Sequence, residues 1–277
     1  MPNQVREDIL SAADLIRVEA KVFDDWGLRA IEPFPRTALN FHGPPGTGKT
    51  LAAHVLASTT SRCILSTSYA QIESMYHGEG PKNLQAIFYA AERDNALLFV
   101  DEADSLLSKK LVNVTQGSEQ AINSMRSELL ICLERFRGVV VFSTNFVDNY
   151  DRAFELRLKH VYFPLPDEGC RLEIWRKHLP GSLPLAQDVC LETLAKIDDL
   201  CGRDIKNAVI DAAVLTARID RTEINLKDLT KACERIKARR IESSQTQDTE
   251  LDEEERVEAE KKVGLLLKSE REKFDDL

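Results

Sequence analysis

Apolar positions along this chain repeat with two different periods. From residue 5 to 23 they fall at Val5, Ile9, Ala12, Ile16, Ala20 and Phe23, the spacing of a helix with one buried face. Five short apolar runs follow: ALNFH, RCILS, ALLFV, VVVFS and HVYF. Three of the five are almost continuously apolar, as strands covered on both faces tend to be. Helical spacing returns between them: after Lys49, at 82 to 94 (Leu84, Ile87, Phe88, Ala91) and at 118 to 136 (Ile122, Met125, Leu129, Leu133, Phe136). Strands and helices alternating in this way predict an α/β fold, a parallel sheet flanked by helices. After PLPDE the strand signals stop. Residues 167–242 carry only helical patterns and predict a small all-helical domain packed on the sheet domain.

The predicted organisation is an N-terminal helix and lead-in at 1–34, a large α/β domain at 35–166, the helical domain at 167–242 and an acidic linker at 243–277. A weakly amphipathic helix is expected within that last segment, at 256–274. The net charge is −9, but twelve acidic and six basic residues lie from Ser243 onward, so the preceding chain is close to balanced. Charge therefore gives no footprint for nucleic acid. The basic stretch KACERIKARRIE (231 to 242) reads as the solvated face of a helix. No run approaches the roughly 18 apolar residues of a membrane span, and MPNQVREDIL has no apolar signal core. The six cysteines form no CxxC pair; several sit in apolar periodic stretches as reduced thiols, and a cytoplasmic location is expected.

GPPGTGKT (43 to 50) follows a strand and opens a helix, the context of a phosphate-binding loop. Its glycines let backbone N–H groups face phosphates, and the helix N-terminus favours an anion. Pro45, Gly46, Thr47, Gly48, Lys49, Thr50 and Leu51 are the candidate ATP-binding residues. Lys49 would reach the β- and γ-phosphates, and the Thr50 hydroxyl would ligate Mg²⁺. ALLFVDEAD ends a buried strand in two carboxylates. Asp101 would hold the metal's water shell, and Glu102 would orient and deprotonate a water.

GPPGTGKT, LLFVDEADSLL, VVVFSTNF and FPLPDE with the following Arg171, in this order, resemble the ATPase core of the AAA+ superfamily, and more narrowly its AAA clade, over residues 35 to 240. The resemblance implies a five-stranded P-loop NTPase sheet, a helical lid, and a homo-hexameric ring with ATP between subunits. It implies that Asn145 of STN positions the attacking water; a simple turn residue is the alternative. Arg157 of DRAFELR matches the arginine finger inserted into a neighbour's site, although Leu156 stands where many relatives carry a second arginine. The alternative is a surface arginine paired with an acid. Arg203 of CGRDIKNAV matches a nucleotide-sensing arginine on the lid; the alternative is an arginine facing solvent.

Tyr76, His77 and Gly78 match the aromatic, any-residue, glycine pattern of a central-pore loop that grips a polypeptide. Tyr69, Ile72 and Tyr76 also fall at helical spacing, so Tyr76 as a core residue stays open. The activity implied is ATP hydrolysis coupled to remodelling or unfolding of a protein substrate, recognised directly or through an adaptor, since the core begins almost at the first residue. DRAFELR with CGR is similar to pachytene-checkpoint remodellers of HORMA-domain proteins, whose bacterial members serve antiphage signalling. Two other classes are alternatives: a nucleotide-gated switch or loader on DNA, opposed by the acidic balance and the aromatic pore loop, and an ATPase that disassembles filaments or complexes.

Overall fold

The computed structural model describes residues 1–32, 37–74, 80–108, 117–145 and 150–247. The chain opens with helix α1 (Asn3–Glu19), which passes into a π-helical turn at Ala20–Asp25 and a 3-10 turn at Leu28–Ala30. The periodicity read as one helix to residue 23 thus overruns α1 by a turn that widens. Strand β1 (Ala38–His42) and helix α2 (Lys49–Thr59) come next, then β2 (Ile64–Ser68), α3 (Tyr69–Ser74), α4 (Gly80–Arg93) and β3 (Leu97–Asp101). A short α5 (Asp104–Leu107), the long α6 (Gly117–Arg135), β4 (Val139–Thr144), α7 (Arg152–Glu155) and β5 (Lys159–Tyr162) complete the sheet layer. Four helices follow: α8 (Glu168–His178), α9 (Leu191–Ala195), α10 (Gly202–Arg218) and α11 (Leu226–Gln247). Helix α11 runs past the expected end of the helical domain at 242. The acidic residues from Asp248 on, with the helix expected at 256–274, lie outside the described residues.

The five strands form one parallel sheet in the order β2-β3-β4-β1-β5. Side chains alternate across each strand, so odd and even positions face opposite layers. Leu39, Phe41, Leu97, Phe99, Val139 and Val141 pack against α1 and α2. Leu98, Val100, Val140 and Phe142 point the other way, into a core with Leu84 and Phe88 of α4 and Met125 and Leu129 of α6. Every residue of β4 is buried; Val139 to Phe142 are apolar because layers cover both faces, and the buried hydroxyls of Ser143 and Thr144 follow. Strand β2 is the exception to the reading from sequence. It begins two residues later than RCILS and continues through Thr67 and Ser68, because those polar residues pair in register with Val100 and Asp101 at the sheet edge. The C-terminal helices enclose a separate apolar cluster built on Trp175, Leu194, Leu200, Ile205, Val209, Leu229 and Cys233. Cys132, Cys201 and Cys233 are buried, and all six cysteines are free thiols.

Candidate nucleotide site

Strand order puts the C-terminal ends of β3, β4 and β1 side by side, and the candidate residues hang from those three ends. In an open parallel α/β sheet, ligands bind outside the carboxyl ends of the strands. His42 ends β1 and leads directly into the glycine loop; Asp101 ends β3; Asn145 follows Thr144 at the end of β4. The loop closes with the Thr47 hydroxyl donating to the Pro44 carbonyl at 2.9 Å, and helix α2 starts at Lys49 behind a left-handed Gly48.

Lys49 is buried, 6 % exposed. Its Nζ donates to the carbonyls of Gly43 at 2.7 Å and Pro44 at 3.0 Å, and to Asn145 Oδ1 at 3.0 Å. Burial lowers the pKa of Lys49; the nearby carboxylates of Asp101 and Asp104 oppose that effect and Arg203 adds to it. An ammonium held by three neutral acceptors beside a loop of backbone donors is a fitted receptor for a phosphate anion. Asn145 is oriented in turn by Asp104, whose Oδ1 accepts the Asn145 backbone N–H at 2.9 Å. Asp104 was assigned no role from sequence, although it is the third acid of the same DEAD run.

Glu102 has φ 52°, a left-handed backbone that costs a non-glycine residue about 1–2 kcal/mol, and it is exposed. Its N–H donates to Asp101 Oδ1 at 3.0 Å, which ties the Asp101 carboxylate to the backbone from which Glu102 projects. Strain of this kind gathers where a side chain must be aimed. Thr50 and Leu51 are exposed on the first turn of α2. Among the described residues no three His, Cys, Asp or Glu side chains converge on a metal position. The Thr50 hydroxyl and the Asp101 carboxylate are hard oxygen donors, the chemistry that Mg²⁺ takes.

The helical part reaches this loop through the start of α10. A Cβ placed on Gly46, whose φ is +78°, would lie 2.5 Å from Cys201 Sγ and 2.8 Å from Arg203 Cβ. Only glycine lets the lid helix approach so closely. Arg203 is therefore brought beside the loop with an exposed side chain, and Cys201, unassigned from sequence, is the nearer neighbour. Behind the loop, His42 packs on Tyr162, His160 and Tyr150 at centroid distances of 5.2, 5.9 and 6.2 Å. Burial, then the nearby His160 and Lys49, push its pKa down to about 4. At neutral pH this ring is uncharged and leaves Lys49 as the cation under the loop.

Arg157 lies away from this edge. One guanidinium nitrogen meets Glu134 Oε1 at 2.6 Å and another donates to the Ala153 carbonyl at 3.0 Å. It lines a cavity of about 290 Å³ with Thr37, Ala38 and Gly138, residues at the opposite, N-terminal ends of β1 and β4. Within one chain Arg157 is thus an acid-paired surface arginine, remote from the chain's own glycine loop. Tyr76, His77 and Gly78 lie outside the described residues. The helix before them is anchored by Ile72, fully buried, whose carbonyl accepts from Asn83 Nδ2 at 3.1 Å.

A glycine loop at the end of β1, a buried lysine and a carboxylate pair at the end of β3, two strands away, define a P-loop nucleotide-binding domain. Residues 39–165 match the family described as "ATPase family associated with various cellular activities (AAA)". The chain carries an AAA-family ATPase domain. It is 31% identical over 254 residues to the proteasome-activating nucleotidase of Methanopyrus kandleri, covering 88% of this chain and 56% of that protein. It is 32% identical over 240 residues to the 26S proteasome regulatory subunit 4 homolog of Oryza sativa subsp. japonica, covering 83% and 52%. Against the katanin p60 ATPase-containing subunit A1 of Strongylocentrotus purpuratus it is 35% identical over 190 residues, covering 64% and 36%. The chain spans little more than half the length of the first two relatives. No described helix is long and apolar enough to cross a membrane.

Proposed function

We propose that this chain hydrolyses ATP at the edge formed by β3, β4 and β1, and that it does so in a ring that remodels protein substrates. The observation that carries this reading is the bond from Lys49 Nζ to Asn145 Oδ1. It joins the phosphate-binding loop to the end of β4, one strand from Asp101 and Glu102. Lys49 binds the β- and γ-phosphates in exchange for its present carbonyl partners. Thr50 and Asp101 would hold Mg²⁺, which would supply positive charge against the negative charge developing on the transferred phosphoryl group. Glu102 accepts the proton of the attacking water, whose oxygen bonds the γ-phosphorus as the bond to ADP breaks. Asn145 orients that water, and Arg203 contacts the nucleotide from the lid. The remote position of Arg157 supports a role at the neighbouring subunit's nucleotide, and with it a homo-hexamer.

The proteasome-type relatives support a polypeptide as the substrate class, gripped by Tyr76, His77 and Gly78. A HORMA-domain protein is the narrower candidate that DRAFELR and CGR suggest. Trapping tests the reading: Glu102→Gln with ATP and Mg²⁺ is expected to stay assembled and retain a polypeptide, with an unfolded casein as probe. A protein that neither assembles nor retains casein in that state contradicts the remodelling assignment.

A further inference from the structure

The first turn of α10 presents Cys201, Gly202 and Arg203 to the glycine loop, so whatever fixes that turn fixes the lid side of the site. Within the turn, Asp204 Oδ2 accepts the Cys201 N–H at 2.9 Å, and Cys201 Sγ accepts the Asp204 N–H. From outside, two arginines hold the segment that leads into it. Arg171, buried on α8, donates to the carbonyls of Ala195 and Pro166 and to Asp198 Oδ1, at 2.7, 2.8 and 2.7 Å. Arg240 on α11 donates to the Asp199 carbonyl at 2.7 Å and to Asp204 Oδ2 at 2.8 Å. Asp199 has φ 54°, so the chain turns sharply just before Cys201 and aims its carbonyl at the guanidinium. One oxygen of Asp204 thus serves both the helix cap and Arg240.

We propose that Arg240 is a positioning residue for nucleotide binding, clamping Asp199 and Asp204 so that Arg203 stays against the loop. The proposal rests on the reading of Arg203 as a nucleotide contact. Arg240 sits in the basic run that reads from sequence as a solvated helix face. Its side chain is 42% exposed, too open for a large share of global stability. Its two acceptors nevertheless bracket the residues that touch Gly46. Both bonds leave one guanidinium nitrogen, Nη2, and a lysine ammonium carries three donors on one atom, so lysine is the conservative replacement, with a different reach.

The test is calorimetric titration of ADP with Mg²⁺ into the full chain and its variants, with a thermal melt of each. Arg240→Ala is expected to weaken ADP about five- to tenfold, the net worth of roughly one ordinary hydrogen bond, while the melting temperature holds. Arg240→Lys should recover part of the affinity. In an Arg203→Ala background, Arg240→Ala should cost little more, because the clamp acts through Arg203. Equal losses in both backgrounds, or wild-type affinity for Arg240→Ala while Arg203→Ala weakens ADP, overturn the proposal and leave Arg203 standing. Wild-type affinity for Arg203→Ala removes the reading of Arg203 itself. If Arg240→Ala unfolds, Arg240→Lys carries the same comparison across the two backgrounds.

Discussion

Replacing Gly46 with alanine perturbs the loop and the lid at once. The added Cβ would meet Cys201 Sγ at 2.5 Å and Arg203 Cβ at 2.8 Å, both well inside van der Waals contact. Cys201 Sγ can turn aside only by giving up its bond to the Asp204 N–H, and Arg203 Cβ is fixed to the backbone, so relief requires the start of α10 to withdraw. The backbone adds its own cost, since φ +78° suits glycine and penalises alanine by about 1–2 kcal/mol. Overpacking of a close contact adds about 1–3 kcal/mol if the lid stays in place. The two together amount to roughly 2–5 kcal/mol, or a melting point lower by about 5–15 °C. If the lid moves instead, part of that cost reappears as weaker ATP, about tenfold for every 1.4 kcal/mol. Gly48→Ala separates the two contributions. Its φ is +101° but a Cβ there meets nothing within 4 Å, so in the nucleotide-free melt it should show backbone strain alone. Melts without nucleotide and ATP titrations on both variants provide the readout. A Gly46→Ala protein that melts and binds ATP like wild type refutes the contact between loop and lid.

Arg157→Ala should keep nucleotide affinity and lose turnover by about 10³- to 10⁵-fold, the scale of an arginine finger. Mixing it with Lys49→Ala subunits should restore part of the rate, and full activity of the wild type as a dilute monomer would rule out a shared site. For Tyr76→Ala, pore grip predicts unchanged melting and basal ATP hydrolysis with remodelling abolished. A buried Tyr76 predicts instead a loss of about 3–5 kcal/mol, seen as lower melting and lower turnover together.

The parts of the site written within single short segments were legible in the sequence. GPPGTGKT carries its flanking strand and helix with it, and the acids of ALLFVDEAD sit at the end of an apolar run, so neighbours along the chain supply the context. The sheet was legible for the same reason: residues such as Phe99 and Val141 are apolar because layers cover both faces. What escaped was made by distant segments meeting. Cys201 is read as one more buried thiol until α10 lies on Gly46, and Arg240 is read as solvated until α11 crosses Asp199 and Asp204. Asp104 escaped differently. It stands in the motif, but its partner is the Asn145 backbone N–H, just past β4, that only the strand order brings near. The extension of β2 through Ser68 depends on pairing with Asp101, and pairing leaves no trace in local hydropathy.

The claim that Glu102 activates water at a phosphate held by Lys49 is tested most directly by phosphate release at saturating ATP, measured with ATP affinity on the same samples. Glu102→Gln should bind ATP as tightly as wild type and lose at least about 10²-fold in turnover, the usual worth of a general base. Lys49→Ala should lose binding itself. Phosphate release by Glu102→Gln at the wild-type rate would contradict the account.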